Sequence, residues 1–454
     1  MTEQRWRSSD PTRQLATLFA PQSRPRNPGL EVRSAYRNYG VVPSSTSLGS
    51  GADKLGRTTR IGNGSTPRRE NREYWDGGDV PWLNSSVVNQ RRVDSAVQFV
   101  TAAALSECHL PIVPPGSVLV GLTGQGKTRG MATILDVEAT VNQHLAYVIP
   151  DRDKWWPGYL LWLLTSAYDD LRRISEENGS TKGGLTCEAL KQLRVSIPPI
   201  DEQRAICCYL DRETARIDTL IEEQQRLIGM LWERRRAVCL TAVTRGVDES
   251  VELVESGDPA IGLMPAHWAL RAVRHWLVSL DGRRIPLSAE ERGDRKGEFD
   301  YYGASGVIDH VDDFIFDEPL VLVSEDGANL LARSTPIAFV AKGRYWVNNH
   351  AHVLRPIAGD VDFWARRLEA LDVSIAVSGS AQPKLTAGAM MALLVSAPAD
   401  IDEQRRIAKY LDEQTEKIDM LIEESERFIE LAGERRSALI TAAVAGQIDV
   451  REAV

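Results

Sequence analysis

Apolar residues recur at steps of seven, four, seven and three in one stretch of the chain: Leu210, Ile217, Ile221, Ile228 and Leu231. Leu411, Ile418, Ile422 and Ile429 repeat the first three of these steps. Charged residues fill the positions between them. This narrow apolar seam predicts two long helices of the coiled-coil type. Each is preceded by residues that stop a helix and then start one. Pro198 and Pro199 bias what precedes them towards extended chain, and Asp201 and Asp402 are expected N-caps. The stretches match over long runs: Asp201-Glu202-Gln203-Arg204 against Asp402-Glu403-Gln404-Arg405, Tyr209-Leu210-Asp211 against Tyr410-Leu411-Asp412, and Glu233-Arg234-Arg235 against Glu434-Arg435-Arg436. A repeat at one constant offset is an architectural unit. At 1.5 Å per residue each helix makes a rod of about 60 Å. That is longer than a small domain covers, so the two helices are expected to pack on each other, and the globular block between them lets the chain return antiparallel.

Between and before the helices the pattern changes to short strands. In the first block, Ser117 to Leu122 and Thr140 to Ile149 read as strands, Trp156 to Tyr168 as a buried helix, and Gly179 to Gly184 as a loop. In the second, strands are expected at Pro319 to Val323, Pro336 to Ala341 and Tyr345 to Leu354. Gly379-Ser380-Ala381-Gln382-Pro383-Lys384-Leu385-Thr386 echoes Gly179 to Thr186. The fold class is therefore α+β: two globular mixed α/β blocks separated by two long helices in an antiparallel coiled coil, with a pseudo-twofold internal repeat. The expected divisions are a poorly ordered leader at 1–53, a first block at 54–196, a central helical region at 197–248, a linker at 249–266, a second block at 267–396 and a distal helical region at 397–448.

Composition narrows the class. The chain has 454 residues, 43% of them hydrophobic, enough for several real cores. No apolar run approaches membrane-spanning length and Met1 to Asp10 lacks a signal-peptide core, so a cytoplasmic location is expected. Cys108, Cys187, Cys207, Cys208 and Cys239 have no CxxC spacing and are expected to be reduced thiols. A net charge of −9 alone argues against nucleic acid as a ligand. Much of the acid lies in the helices, however, and the blocks carry local basic clusters; the charge of one face governs binding.

Three motifs suggest chemistry. Gly121-Leu122-Thr123-Gly124-Gln125-Gly126-Lys127-Thr128 matches the P-loop pattern after a strand. Gly130 then falls in the would-be first helical turn, and Thr133-Ile134 favour a strand, so a hairpin turn competes with the phosphate cradle. His350-Ala351-His352 on a strand places two imidazoles on one face, for a metal or a structural role. Glu325-Asp326 is an acid pair without an obvious partner. No methyltransferase [DN]-P-P-[YF] motif and no Ser/His/Asp arrangement is present, so no catalysis, bound cofactor or metal is expected of this chain. A P-loop nucleotide-binding protein and a coiled-coil scaffold without DNA binding stay open as alternatives.

The Ile197-Pro198-Pro199-Ile200-Asp201-Glu202-Gln203-Arg204 preamble, the Glu-Arg-Arg runs, and Ala242-Val243 and Ala443-Val444 before a glycine resemble the helical regions of a specificity subunit of a Type I restriction–modification system. Gly64-Ser65-Thr66-Pro67, Val80-Pro81-Trp82-Leu83 and Thr123 to Gly130 resemble motifs of its target recognition domains, as do Tyr301 to Gly306, Ser324 to Asn329 and Asn348 to His352. The resemblance implies two recognition domains reading the halves of a bipartite, asymmetric double-stranded DNA site at a spacing fixed by the helices. It also implies docking of two methyltransferase subunits, which use S-adenosylmethionine to methylate adenine, and of restriction subunits that use ATP and Mg. The chain itself would be non-catalytic. From side-chain chemistry, the expected DNA-binding residues are Arg68, Arg69, Gln125, Lys127, Arg129 and Lys182 in the first block, and Arg283, Arg284, Asn329, Arg333, Lys342, Arg344 and Lys384 in the second.

Overall fold

A computed structural model describes residues 53–124, 126–177, 184–379 and 382–450. Residues 1–52 of the expected leader, the loop at 179–183, Gln125 and Lys182 lie outside them. The described residues form two compact units, one from those at 53–223 with 428–450 and the other from those at 224–427. The two long helices span Ile200–Arg245 and Ile401–Val444, and each contributes to both units.

In the first unit a five-stranded sheet runs Thr59–Asn63, Leu145–Pro150, Val118–Gly121, Ala132–Leu135 and Arg92–Val93 in spatial order. All neighbours are antiparallel except the last pair. A three-stranded sheet adds Gln98–Val100, Val80–Leu83 and Thr140–Val141. The helix Pro157–Ser166 is apolar all round and buries Tyr159 through Leu164, as a helix must when it is enclosed on every side. Its core takes in Ile206 and Leu210 from the start of the first long helix, and Ile440, Ala443 and Val444 from the end of the second.

The second unit repeats this plan. Leu277–Ser279, Ala351–Pro356, Leu320–Ser324 and Ala338–Ala341 make an antiparallel four-stranded sheet. Gly306–Val311, Lys296–Gly303 and Tyr345–Val347 make a three-stranded one. The helix Val361–Glu369 lies in a core with Ala242 and Val243 of the first long helix and Ile407, Ala408 and Leu411 of the second. Further along, Leu231 packs on Ile418 and Ile422. As the first helix advances the second recedes, so within this unit the pair is antiparallel. Arg235 meets Asp419 through Nε at 2.8 Å and Nη2 at 3.3 Å. In the first unit Arg436 meets Asp218 at the same two distances. Both members of each pair are related to the other pair by the 201-residue repeat.

Two details differ from expectation. The helices begin at Ile200 and Ile401, so Asp201 and Asp402 sit inside the first turn, where a carboxylate favours the helix dipole. In the second helix the capping oxygen belongs to Asp400, whose Oδ1 accepts the Asp402 N–H at 3.0 Å. The stretches Thr140 to Ile149 and Tyr345 to Leu354 are not single strands. Each breaks at a three-residue turn, at 142–144 and at 348–350.

The repeated Asp-Glu-Gln-Arg stretch has a structural explanation in its glutamine. Gln203 is fully buried. Its Oε1 accepts the Trp156 N–H at 2.7 Å, and its Nε2 donates to the Lys154 and Pro198 carbonyls, both at 2.8 Å. Gln404 accepts the Asp360 N–H at 3.0 Å and donates to the Pro398 carbonyl at 2.9 Å. Trp156 and Asp360 are the residues just before the buried helix of each block. One amide thus ties each block's helix to the start of the long helix that follows it. Gly359 has φ 125°, and a Cβ there would lie 2.3 Å from Gln404 Oε1, so the glycine is required for this contact.

Candidate nucleic-acid interface

The P-loop-like segment is a hairpin. It joins the antiparallel strands Val118–Gly121 and Ala132–Leu135, with Gly130 N–H donating to the Gly121 carbonyl at 2.8 Å. A Cβ on Gly121 would lie 2.2 Å from the Thr128 carbonyl oxygen, so this glycine serves the close approach of the two hairpin arms. No helix starts after Lys127, and the phosphate cradle that a helix N-terminus provides is missing from this hairpin. The nucleotide-binding alternative is therefore set aside. The purified chain is expected to show no ATP hydrolysis above background, with Lys127→Ala indistinguishable from wild type in a coupled phosphate-release assay.

What the first block presents is a group of polar loops. A Cβ on Gly64 would strike the Val141 carbonyl at 1.8 Å, and this close approach brings the 63–69 loop against the turn at 142–144. Asn63 Nδ2 donates to the Gln143 carbonyl at 3.3 Å and Thr66 Oγ1 to Gln143 Oε1 at 2.6 Å. Thr123 Oγ1 lies 3.0 Å from His144 Nδ1. The indoles of Trp82 and Trp75 donate to the Ser65 and Arg68 carbonyls and fix the loop's far side. Arg69 stacks over both rings, at 4.1 and 5.1 Å, while Arg68 is exposed beside it. Lys127 is exposed, and its carbonyl accepts the Tyr168 hydroxyl. Arg129 is buried and paired with Glu176 at 3.0 Å.

In the second block the corresponding edge is built on part-buried charge. Arg284 Nη1 donates to Glu325 Oε2 and to the Ala351 carbonyl, both at 2.7 Å. Asp281 accepts from His352 Nδ1 at 2.7 Å and from Val353 N–H at 2.8 Å. Lys384 Nζ lies 3.2 Å from Glu325. Burial pushes the Asp281 and Glu325 carboxyls up, but these donors outweigh it and hold both below the usual carboxylate range. Asp281, Glu325 and His352 are close enough to share a cation. Both His352 ring nitrogens, however, already have hydrogen-bond partners, Asp281 and the Leu385 carbonyl. His350 is not on a strand with it: it sits in the turn, 2.8 Å from Asp326. The paired imidazoles and the acid pair thus have structural partners.

The remaining expected residues are dispersed. Arg283 donates to the Ile315 carbonyl and lies over Phe316. Asn329 closes a turn with Ser334 and Thr335. Arg333, at φ 50°, binds the Glu369 and Leu371 carbonyls. Lys342 and Arg344 are exposed, paired with Asp362 and Asp317. So Arg68, Arg69 and Lys127 face solvent on loops, while Arg129, Arg284, Asn329 and Arg333 are committed to internal bonds. Asn63, Thr66, Thr123, Gln143 and Asn349 lie on these polar edges and were not anticipated. The spacing Asn-x-His, at 142–144 and again at 348–350, was the signal that could have located two of them.

Comparison with known proteins completes the picture. The family described as Type I restriction modification DNA specificity domain matches residues 54–228 and again 277–428, more than half of the chain. The specificity subunit of the Escherichia coli Type I restriction enzyme EcoprrI is 24% identical over 79% of this chain and 86% of its own length. The EcoR124I/EcoR124II specificity subunit, also from Escherichia coli, is 23% identical over 39% of this chain, which spans 44% of that protein. Among solved structures, a chain from work on complex assembly and conformational transition of the type I R-M system superposes with a TM-score of 0.63 at 15% identity, covering 87% of this chain and 98% of that one. The HsdS subunit from Thermoanaerobacter tengcongensis gives 0.53 at 16% identity, over 87% and 97%. Two copies of one DNA-specificity domain, each running into a long helix, place this chain in the family of Type I restriction–modification specificity subunits, the non-catalytic DNA-recognition members of those systems.

Proposed function

We propose that the chain reads a bipartite, asymmetric site in double-stranded DNA, one half with each block, and docks two adenine methyltransferase subunits on its long helices. The observation that carries this reading is the contrast between the blocks. They share a sheet-and-turn frame, yet line the same edge with different side chains: Leu122 and Ala146 in the first stand where Glu325 and His352 stand in the second, matched through equivalent strand hydrogen bonds. A common frame with divergent edges suits two different half-sites. The recognition domains are residues 54–196 and 267–396, the helical spacers 197–248 and 397–448, and 249–266 links them. Of the residues expected to meet DNA, Arg68, Arg69, Lys127, Arg283, Lys342, Arg344 and Lys384 position phosphates. Arg129, Arg284, Asn329 and Arg333 support the loops, and Gln125 and Lys182 complete the set.

The helices also expose apolar side chains at equivalent positions, Leu220 with Leu421 and Met230 with Leu431. Repeated exposed apolar side chains on a charged helix suit two copies of one partner. Restriction subunits joining that complex would supply ATP-driven chemistry, and the assembly would work in the cytoplasm; no described helix is long and apolar enough to cross a membrane. The test is duplex-DNA binding by the co-purified complex at increasing salt. Affinity should fall linearly on a log–log plot, as phosphate contacts require. A complex whose DNA affinity ignores salt would overturn the reading.

A further inference from the structure

The turns that interrupt the long strands are the same device built twice. Asn142 and Asn348 are both buried. Each side chain accepts the N–H two residues on, from His144 at 3.0 Å and from His350 at 2.8 Å. Each backbone N–H donates to the neighbouring parallel strand, at the Leu83 carbonyl in one block and the Tyr302 carbonyl in the other. Each histidine carbonyl accepts the N–H of Leu122 or Glu325, both at 2.9 Å, and each ring bonds the following residue, Thr123 or Asp326. Between these two fixed points stands one exposed carboxamide, Gln143 in the first block and Asn349 in the second.

We propose that Gln143 and Asn349 are specificity-determining residues, each reading one adenine in its half-site. The inference rests on the DNA-reading function proposed above and assigns one position within it. In the first block the amide's orientation follows from its partners. Thr66 donates to Gln143 Oε1 at 2.6 Å, and Gln143 Nε2 lies 3.2 Å from His144 Nε2. With the Thr123 hydroxyl accepting from His144 Nδ1, that Nε2 accepts from the amide. A carboxamide has two lone pairs and two N–H groups. Thr66 takes one of the former and His144 one of the latter, which leaves one acceptor and one donor. That is the complement of adenine's major-groove edge, N6–H and N7. The turn's own geometry does not need this amide, because the buried Asn142 and Asn348 already close it. An exposed side chain held in one orientation on a fixed turn is preorganised for bidentate contact.

The experiment maps adenine methylation by the complete complex of this chain with its methyltransferase partner, for wild type, Gln143→Ala, Gln143→Glu and Asn349→Ala. Both residues are exposed, so melting temperatures should match wild type. Gln143→Ala should relax one adenine position in one half of the motif, lowering preference there about ten-fold or more, and leave the other half intact. Gln143→Glu replaces the donor with an acceptor and should shift that position towards cytosine. Asn349→Ala should relax one adenine in the other half. Unchanged base preference in Gln143→Ala, or a uniform loss of methylation with the motif intact, would overturn the assignment, since a structural or phosphate-contacting amide gives that result. A wild-type complex that methylates no defined motif would remove the proposed function and this assignment with it.

Discussion

Gln203→Ala is expected to destabilise the first unit by about 3 kcal/mol, because three hydrogen bonds leave a fully buried site and the Trp156 N–H loses its acceptor. A donor left without its acceptor beside a buried site costs more than the bond it replaces contributed, and the lost packing of the fully buried amide adds to it. Gln203→Glu should be no remedy. Its second oxygen would face the Lys154 and Pro198 carbonyls, acceptor against acceptor. Asp201→Ala is the matched control: that carboxylate is exposed, and its loss should stay within about 0.5 kcal/mol. Thermal melting of the three variants makes the comparison. Equal melting temperatures for Gln203→Ala and Asp201→Ala would contradict the role assigned to the glutamine. Gln404→Ala should act in the same way on the second unit, through the Asp360 N–H.

Arg284→Ala is expected to cost about 2–3 kcal/mol in the second unit, somewhat below the full penalty for breaking a buried pair because Lys384 and His352 still face the two carboxylates. Its guanidinium bridges Glu325 to the Ala351 carbonyl and lies 3.5 Å from Asp281, so it joins three segments of the recognition edge. Arg284→Lys should recover only part of the loss, since one ammonium cannot reproduce a planar fork. Denaturant unfolding measures the stability, and the methylated motif reports function: the half read by the second block should degrade while the other half persists. If Arg284 instead met DNA directly, affinity would fall with stability unchanged.

The long helices were the most legible part of the sequence. Their seam is a local, periodic signal, and its repetition at one offset makes it unambiguous. The pairing followed from length and its antiparallel sense from the globular block between the helices, and Leu231 against Ile418 and Ile422 realises it within one unit. The strands were legible only as apolar runs. Thr140-Val141 and Leu145 to Ile149 flank three polar residues, and a count of β-favouring residues reads across them; the Asx turn closed by Asn142 is what breaks the run. The loop cations were the least legible. Arginine in a glycine-rich loop reads as a DNA contact until its partner is known, and Glu176 and Glu369 lie more than thirty residues from Arg129 and Arg333. Sequence spacing cannot show such pairings, because they form only when the sheets assemble. The P-loop pattern was already opposed in the sequence by Gly130 and Thr133-Ile134, which disfavour a helix after the lysine, and Gly121 serves the close arms of the hairpin that forms there.

Mapping methylated adenines across a host genome decides whether this chain supplies the address for adenine methylation. The gene is expressed with its methyltransferase partner, and then deleted. The expected result is a two-part methylated motif with a fixed gap that disappears on deletion. Methylation that persists unchanged without this chain would contradict it.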